Sequence, residues 1–126
     1  MAIIVYNRGK EDHSAHPYNF PIYRGGSVLG NPYTDKPLNR TMAVYQVKDR
    51  DEAIQRYSSY FDMQYGRNKE FTEVIDYIYE LYKSGETVYL ECYCHPLRCH
   101  GDIIVEKLQK RLLKEKIKEA KEIRNG

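Results

Sequence analysis

The chain has no tryptophan, few prolines and only three cysteines, and those three, Cys92, Cys94 and Cys99, fall within eight residues of one another. A secreted disulfide framework spreads its cysteines and pairs them all, so an odd, clustered set points to thiol or metal chemistry instead. Also missing is any run approaching the roughly 18 consecutive apolar residues of a membrane span. The opening Met-Ala-Ile-Ile-Val-Tyr-Asn-Arg is too short and too soon polar for a signal peptide, so no membrane association and a cytoplasmic location are expected. Strong net charge is absent as well. The formal +2 divides into +4 over residues 106–126, where eight Lys or Arg meet four Asp or Glu, and −2 over residues 1–105. Signs interleaved along a helix read as a solvated face before they read as a nucleic-acid footprint, which argues against nucleic acid as the main partner.

What remains is 126 residues, 41% of them hydrophobic, enough for one domain, 1–126, around one core. Thirteen tyrosines dominate the aromatic set. A tyrosine ring stacks and its hydroxyl bonds, so it suits a nucleobase pocket as well as the edge of a core.

Ala2–Tyr6 is short, apolar and β-prone, and reads as a first strand. Asn7 to Leu38 is rich in Gly, Pro, Asn, Asp, His and Tyr, broken by a second expected strand at Pro21–Tyr23; so long an irregular stretch in a small domain is usually functional. His13 and His16 stand alone in it. Met42–Val47 reads as another strand. Asp49 or Asp51 then caps a helix running to about Tyr65, with Ala53, Ile54, Tyr57, Tyr60 and Phe61 on one face and Gly66 as its stop. Asn68 opens a second helix through Phe71, Val74, Ile75, Ile78 and Leu81, ended by Gly85. Thr87–Tyr93 is the best strand in the chain. From about Gly101 a long helix carries Ile104, Leu108, Leu112, Ile117 and Ile123, and its charged extension from about residue 113 projects or pairs with a second copy. Helices alternating with strands predict an α/β fold, a mostly parallel sheet flanked by helices, with ligands at the carboxyl ends of the strands.

Cys92-Tyr93-Cys94-His95-Pro96-Leu97-Arg98-Cys99-His100-Gly101-Asp102 lies at such an end, three thiols and two imidazoles in nine positions. A helix starting near Gly101 aims free amides and partial positive charge back into this loop, where an anion or thiolate is stabilised. Three chemistries compete. Zinc would take four N or S ligands from Cys92, Cys94, Cys99, His95 and His100, although the usual two-residue gaps are missing. Thiol catalysis would use the separation of Cys92 and Arg98, which matches phosphatase and rhodanese-type loops but with bulky residues and no glycine between them. The third is a pocket in which His100, Asp102 and the thiols orient or cleave a phosphorylated small molecule, with Cys94, Arg98 and Gly101 among the binding groups. Simpler accounts stand beside these: Asp102 as a first-turn acid on the helix dipole, Cys92 as a small buried hydrophobe.

The second cluster is Tyr23-Arg24-Gly25-Gly26-Ser27-Val28-Leu29-Gly30-Asn31-Pro32-Tyr33. Glycines beside Arg24 and Ser27 can offer amides to phosphate, and Asn31 can read a base or ribose, but no nucleotide-loop fingerprint is present and turn formation explains the glycines better.

Together the runs at 27–33 and 92–102 resemble domain-of-unknown-function family 4326, small bacterial and phage proteins with an SPLGNP-like element near the start and a CxCxPxxCHGD element near the end. The resemblance implies motif positions Gly30, Asn31, Pro32, Cys92, Cys94, Cys99, His100, Gly101 and Asp102. It supplies no activity. Val28 stands where Pro is usual, Tyr33 for Phe and Tyr93 for Trp, Arg98 matches no fixed position, and the helix beyond about Leu113 is an addition.

These readings converge on a site between the Gly30-Asn31-Pro32 loop and the Cys99–Asp102 helix start that takes a nucleotide or related phosphorylated small molecule. An enzyme there would be a hydrolase or transferase at a phosphate or glycosidic bond, with Cys92, Cys99, His100 and Asp102 catalytic and Arg24, Gly25, Ser27, Gly30, Asn31, Pro32, Cys94, Arg98 and Gly101 binding. The alternatives are a phage-type protein that sequesters a nucleotide signal or blocks a host factor without turnover, and a zinc-stabilised interaction module using Cys92, Cys94, Cys99 and His100.

Overall fold

The β-branched and aromatic run Thr87–Cys92 forms the central strand of a three-stranded parallel sheet in a computed structural model, which describes residues 2–95 and 97–125. In chain order the elements are β1 (Ala2–Asn7), β2 (Asn19–Pro21), β3 (Tyr33–Thr34), a 3-10 turn (Leu38–Arg40), β4 (Tyr45–Gln46), α1 (Arg50–Gln64), α2 (Lys69–Lys83), β5 (Thr87–Cys92) and α3 (His100–Asn125). The sheet order is β1-β5-β2, with Val5 beside Leu90 and Phe20 beside Leu90 on the other edge. The fold is α/β with a parallel sheet and a long C-terminal helix.

Strand alternation sends Val88, Leu90 and Cys92, with Ile3, Val5 and Phe20, toward one core. All three helices pack into it, through Ile54, Tyr57 and Phe61 of α1, Phe71, Ile75 and Ile78 of α2, and Ile104, Leu108 and Leu112 of α3. Burying each of the larger side chains contributes about 1.5–3 kcal/mol. The reverse face bears Tyr6, Tyr89 and Glu91 and is covered by the coil between β1 and β2. There the His13 ring stacks on Tyr89 at 4.2 Å and meets Tyr6 edge-on at 4.8 Å. Glu91, only 5% exposed, accepts from the Tyr6 hydroxyl at 3.0 Å and the Asn19 amide at 3.2 Å.

The helix boundaries follow their caps. Asp49 accepts from the Glu52 amide at 2.8 Å and Asn68 from the Phe71 amide at 3.2 Å. Gly66 and Gly85, with φ of 88° and 91°, supply the left-handed turns that end α1 and α2. Two expected strands fall elsewhere. The strand expected at Pro21–Tyr23 is Asn19–Pro21, because after Ile22 bonds the Glu91 carbonyl the chain turns away, Gly26 N–H closing on the Tyr23 carbonyl at 2.9 Å. Of Met42–Val47 only Tyr45–Gln46 is a strand; it pairs with β3 in a separate two-stranded sheet, and Met42, Val44 and Tyr45 are exposed.

The last buried residue of α3 is Leu112, and Leu113, Ile117 and Ile123 beyond it are exposed. At 1.5 Å per residue the helix is about 39 Å long, so nearly half of it stands clear of the core. Among the described residues no helix is long and apolar enough to cross a membrane.

Candidate functional site

β5 and β2 both end at the same rim, and the segments that follow them form two walls of one cavity of about 460 Å³. The first wall is Cys92, Tyr93, Cys94, Arg98, Cys99 and His100; the second includes Tyr23, Arg24 and Asn31. The two motif loops therefore meet.

Asn31 is buried and pins the second wall to α1, its amide donating to the Ala53 carbonyl at 3.1 Å while its Oδ1 accepts from the Tyr33 amide at 3.0 Å. Half-buried Arg24 holds the segment that follows. Its Nε donates to the Asn31 carbonyl at 2.6 Å, Nη2 to the Tyr33 carbonyl at 2.9 Å and Nη1 to Thr41 Oγ1 at 3.2 Å. All three partners are neutral, and burial pulls the Arg24 guanidinium below its ordinary pKa. Pro32 contributes its carbonyl, which accepts from the Val44 and Tyr45 amides at 2.9 Å and returns the segment across the cavity mouth. Gly30 is required by proximity, since a Cβ there would sit 3.0 Å from Arg24 Cα.

On the opposite wall Asn7 Nδ2 donates to the carbonyls of His95 at 3.0 Å and Tyr93 at 3.3 Å, fixing the loop to the end of β1. Arg50, from the first turn of α1, donates through Nε to the Arg98 carbonyl at 2.9 Å. Cys99 caps α3: its Sγ accepts from the Gly101 amide at 3.3 Å, while Asp102 Oδ2 reaches back to the Cys99 amide at 3.0 Å. This is a variant of the capping box, with a cysteine in the place of serine and the second helical amide as its donor. Gly101 lets α3 lie on the sheet, because a Cβ there would meet Ile22 Cδ1 at 2.8 Å.

His100 is 7% exposed, its Nε2 donates to the Ile22 carbonyl at 2.6 Å, and the Tyr57 ring lies edge-on at 4.8 Å. Burial brings its pKa down to about 4, opposed by the Ile22 carbonyl and aided by nearby Arg24, so it is neutral at pH 7. Cys92 and Cys99 are both buried. The neighbouring Cys99 thiol, helped by the main-chain amides of His95 and Cys94, pulls the Cys92 thiol below its ordinary pKa, and the same contact together with burial pushes Cys99 up.

Of the residues singled out from sequence, Arg24, Asn31, Cys92, Cys94, Arg98, Cys99 and His100 line the cavity. Gly25, Ser27, Gly30, Pro32, Gly101 and Asp102 do not; they shape the turns and the helix start behind it. Ser27, for example, accepts from the Leu29 amide at 3.2 Å and donates to the Pro21 carbonyl at 2.5 Å. Lys36, Arg50, Thr41 and the ring of Tyr33 were not legible as site residues, because the fold-back at Pro32 and the start of α1 bring them in. Among the described residues no group of three or more His, Cys, Asp or Glu is placed to hold a metal ion, so the zinc set Cys92, Cys94, Cys99 and His100 is not assembled.

The lining carries four cations, Arg24, Lys36, Arg50 and Arg98, against one carboxylate, Asp35. The ion pairs among the described residues engage none of the four. A second hollow of about 600 Å³ beside α3 also has basic residues, but there Lys107 pairs with Asp62 and Arg111 with Asp76, each at 2.9 Å. Of the two, the first has the larger excess of cations over carboxylates in its lining, four against one compared with four against two.

The model of the domain of unknown function DUF4326 matches residues 5–110, and the chain is a member of that family. No curated protein and no solved structure gives a significant match.

Proposed function

We propose that the cavity between the Asn31 loop and the start of α3 binds a nucleotide or related phosphorylated small molecule. The observation that carries this reading is Arg24, a half-buried cation whose three bonded partners are all neutral, in a cavity with three more cations and one carboxylate. A bound phosphate would compensate it with charge-assisted bonds. Tyr23, Tyr33 and Tyr93 supply ring faces for a base, and the volume lies within the roughly 300–1,000 Å³ of small-molecule sites.

Binding without turnover is favoured by what His100 and Asp102 already do. One is neutral, buried and committed to the Ile22 carbonyl; the other is tied to the Cys99 amide away from the cavity. Both position α3. If the protein turns a substrate over, Cys92 is the candidate nucleophile and Arg98 its anion clamp, acting in hydrolysis or transfer at a phosphate or glycosidic bond.

The test is calorimetric titration with AMP, ADP, ribose 5-phosphate and inorganic phosphate, at two salt concentrations, for the natural protein and Arg50→Ala. Micromolar binding of a nucleotide that weakens with salt and falls about tenfold in the variant supports the reading. No binding by any of the four at millimolar concentration overturns it.

A further inference from the structure

We propose that Cys92 and Cys99 form a redox-active dithiol, oxidised to an intramolecular disulfide by hydrogen peroxide. The two thiols come from different elements, the end of β5 and the cap of α3, and belong to one buried cluster on the same cavity wall. Each sulfur is held by main-chain amides, Cys92 Sγ by His95 at 3.5 Å and Cys99 Sγ by Gly101 at 3.3 Å, so neither is merely a filler of the core. Each thiol is the largest influence on the other's ionisation, Cys99 favouring the charged form of Cys92, so the more acidic thiol stands beside one that can resolve it. Cys94, next but one along the chain, is only half-buried.

In the first step the Cys92 thiolate attacks a peroxide oxygen. The S–O bond forms, the O–O bond breaks, and the departing hydroxide takes a proton from solvent to leave as water. The Cys99 sulfur then attacks the Cys92 sulfur, the S–S bond forms, the S–O bond breaks, and a second water leaves with the Cys99 proton. Two thiols lose two electrons and one peroxide becomes two waters. A dithiol such as dithiothreitol reverses the change. The inference needs no phosphorylated ligand, so it stands or falls apart from the binding reading.

The experiment is intact-mass measurement of the full chain after one equivalent of peroxide, followed by unfolding and alkylation with N-ethylmaleimide. The expected result is one adduct, at Cys94, on a chain about two daltons lighter, with three adducts restored by dithiothreitol. Cys94→Ser should lose the same two daltons and carry no adduct. Cys99→Ser, whose hydroxyl preserves the helix cap, should leave a Cys92 sulfenic acid that dimedone traps. Three adducts after peroxide, a bridge that includes Cys94, a disulfide between two chains, or a zinc-sized increment on the native mass would each overturn the assignment.

Discussion

Replacing His100 by Gln separates the charge of this side chain from its bond. The amide of Gln can still donate to the Ile22 carbonyl, but it does not titrate. In the folded protein burial lowers His100 from 6.5 to about 4, so between those values the unfolded chain binds a proton that the folded chain refuses. Stability from this group is complete above pH 6.5 and declines as pH falls toward 4. At about 1.4 kcal/mol per pH unit the loss across that window is about 3 kcal/mol. That is a large share of the roughly 5–15 kcal/mol that holds a domain together. Asp12, Asp76, Glu106 and Glu115 also have lowered pKa values from their hydrogen-bond and ionic partners and lose stability in acid. Those contributions are common to both proteins and cancel in the difference. Urea unfolding at pH 7.5, 6.5, 5.5 and 4.5 should therefore show the natural protein losing stability more steeply than His100→Gln below pH 6.5. Parallel profiles would refute the burial argument, and with it the assignment of His100 as a neutral anchor.

Three further outcomes are expected. Gly30→Ala puts a methyl 3.0 Å from Arg24 Cα, a main-chain atom that cannot step aside, and should cost about 1–3 kcal/mol in urea unfolding; a neutral result would mean the loop is looser than its bonds suggest. Asp102→Ala removes the bond to the Cys99 amide and should cost about 1 kcal/mol, with ligand affinity unchanged by calorimetry since the carboxylate is off the cavity wall. Ile123→Lys, at a position 81% exposed, should change stability by less than about 0.5 kcal/mol at every protein concentration; a concentration-dependent loss in thermal melts would reveal a second copy on the projecting part of α3.

The helices were legible because their signals are local. Asp49, Asn68, Gly66 and Gly85 punctuate α1 and α2, and the spacing of Phe71, Ile75 and Ile78 marks the buried side. β5 stood out for the same reason. The lining of the candidate cavity was legible at Cys92, Cys99 and His100, which lie where a strand ends and a helix begins, whereas architectural roles, that of His100 included, were not. Nothing in the run Gly-Asn-Pro says that Asn31 spends its side chain on Ala53 and Tyr33, or that Arg24 grips a loop. Arg50 was hidden because its place in the cavity depends on how α1 docks beside the Cys94–Cys99 segment. His13 and His16 looked isolated in sequence, yet they roof Tyr89 on the helix-free side of the sheet. That contact joins residues more than seventy positions apart, beyond the reach of any periodicity.

Arg24 holds the outer wall of the cavity chiefly through the carbonyls of Asn31 and Tyr33. Every amino acid presents a carbonyl, so the grip is blind to the side chains it suspends. Lys36, Asp35 and Met42 on that wall can be exchanged without loosening it, whereas Arg24, Asn31 and His100 cannot. The architecture thus divides this part of the molecule into a fixed frame, to which the hydroxyls of Thr34 and Thr41 also belong, and an interchangeable panel at Asp35, Lys36 and Met42, whose side chains set the lining of the cavity without holding it in place.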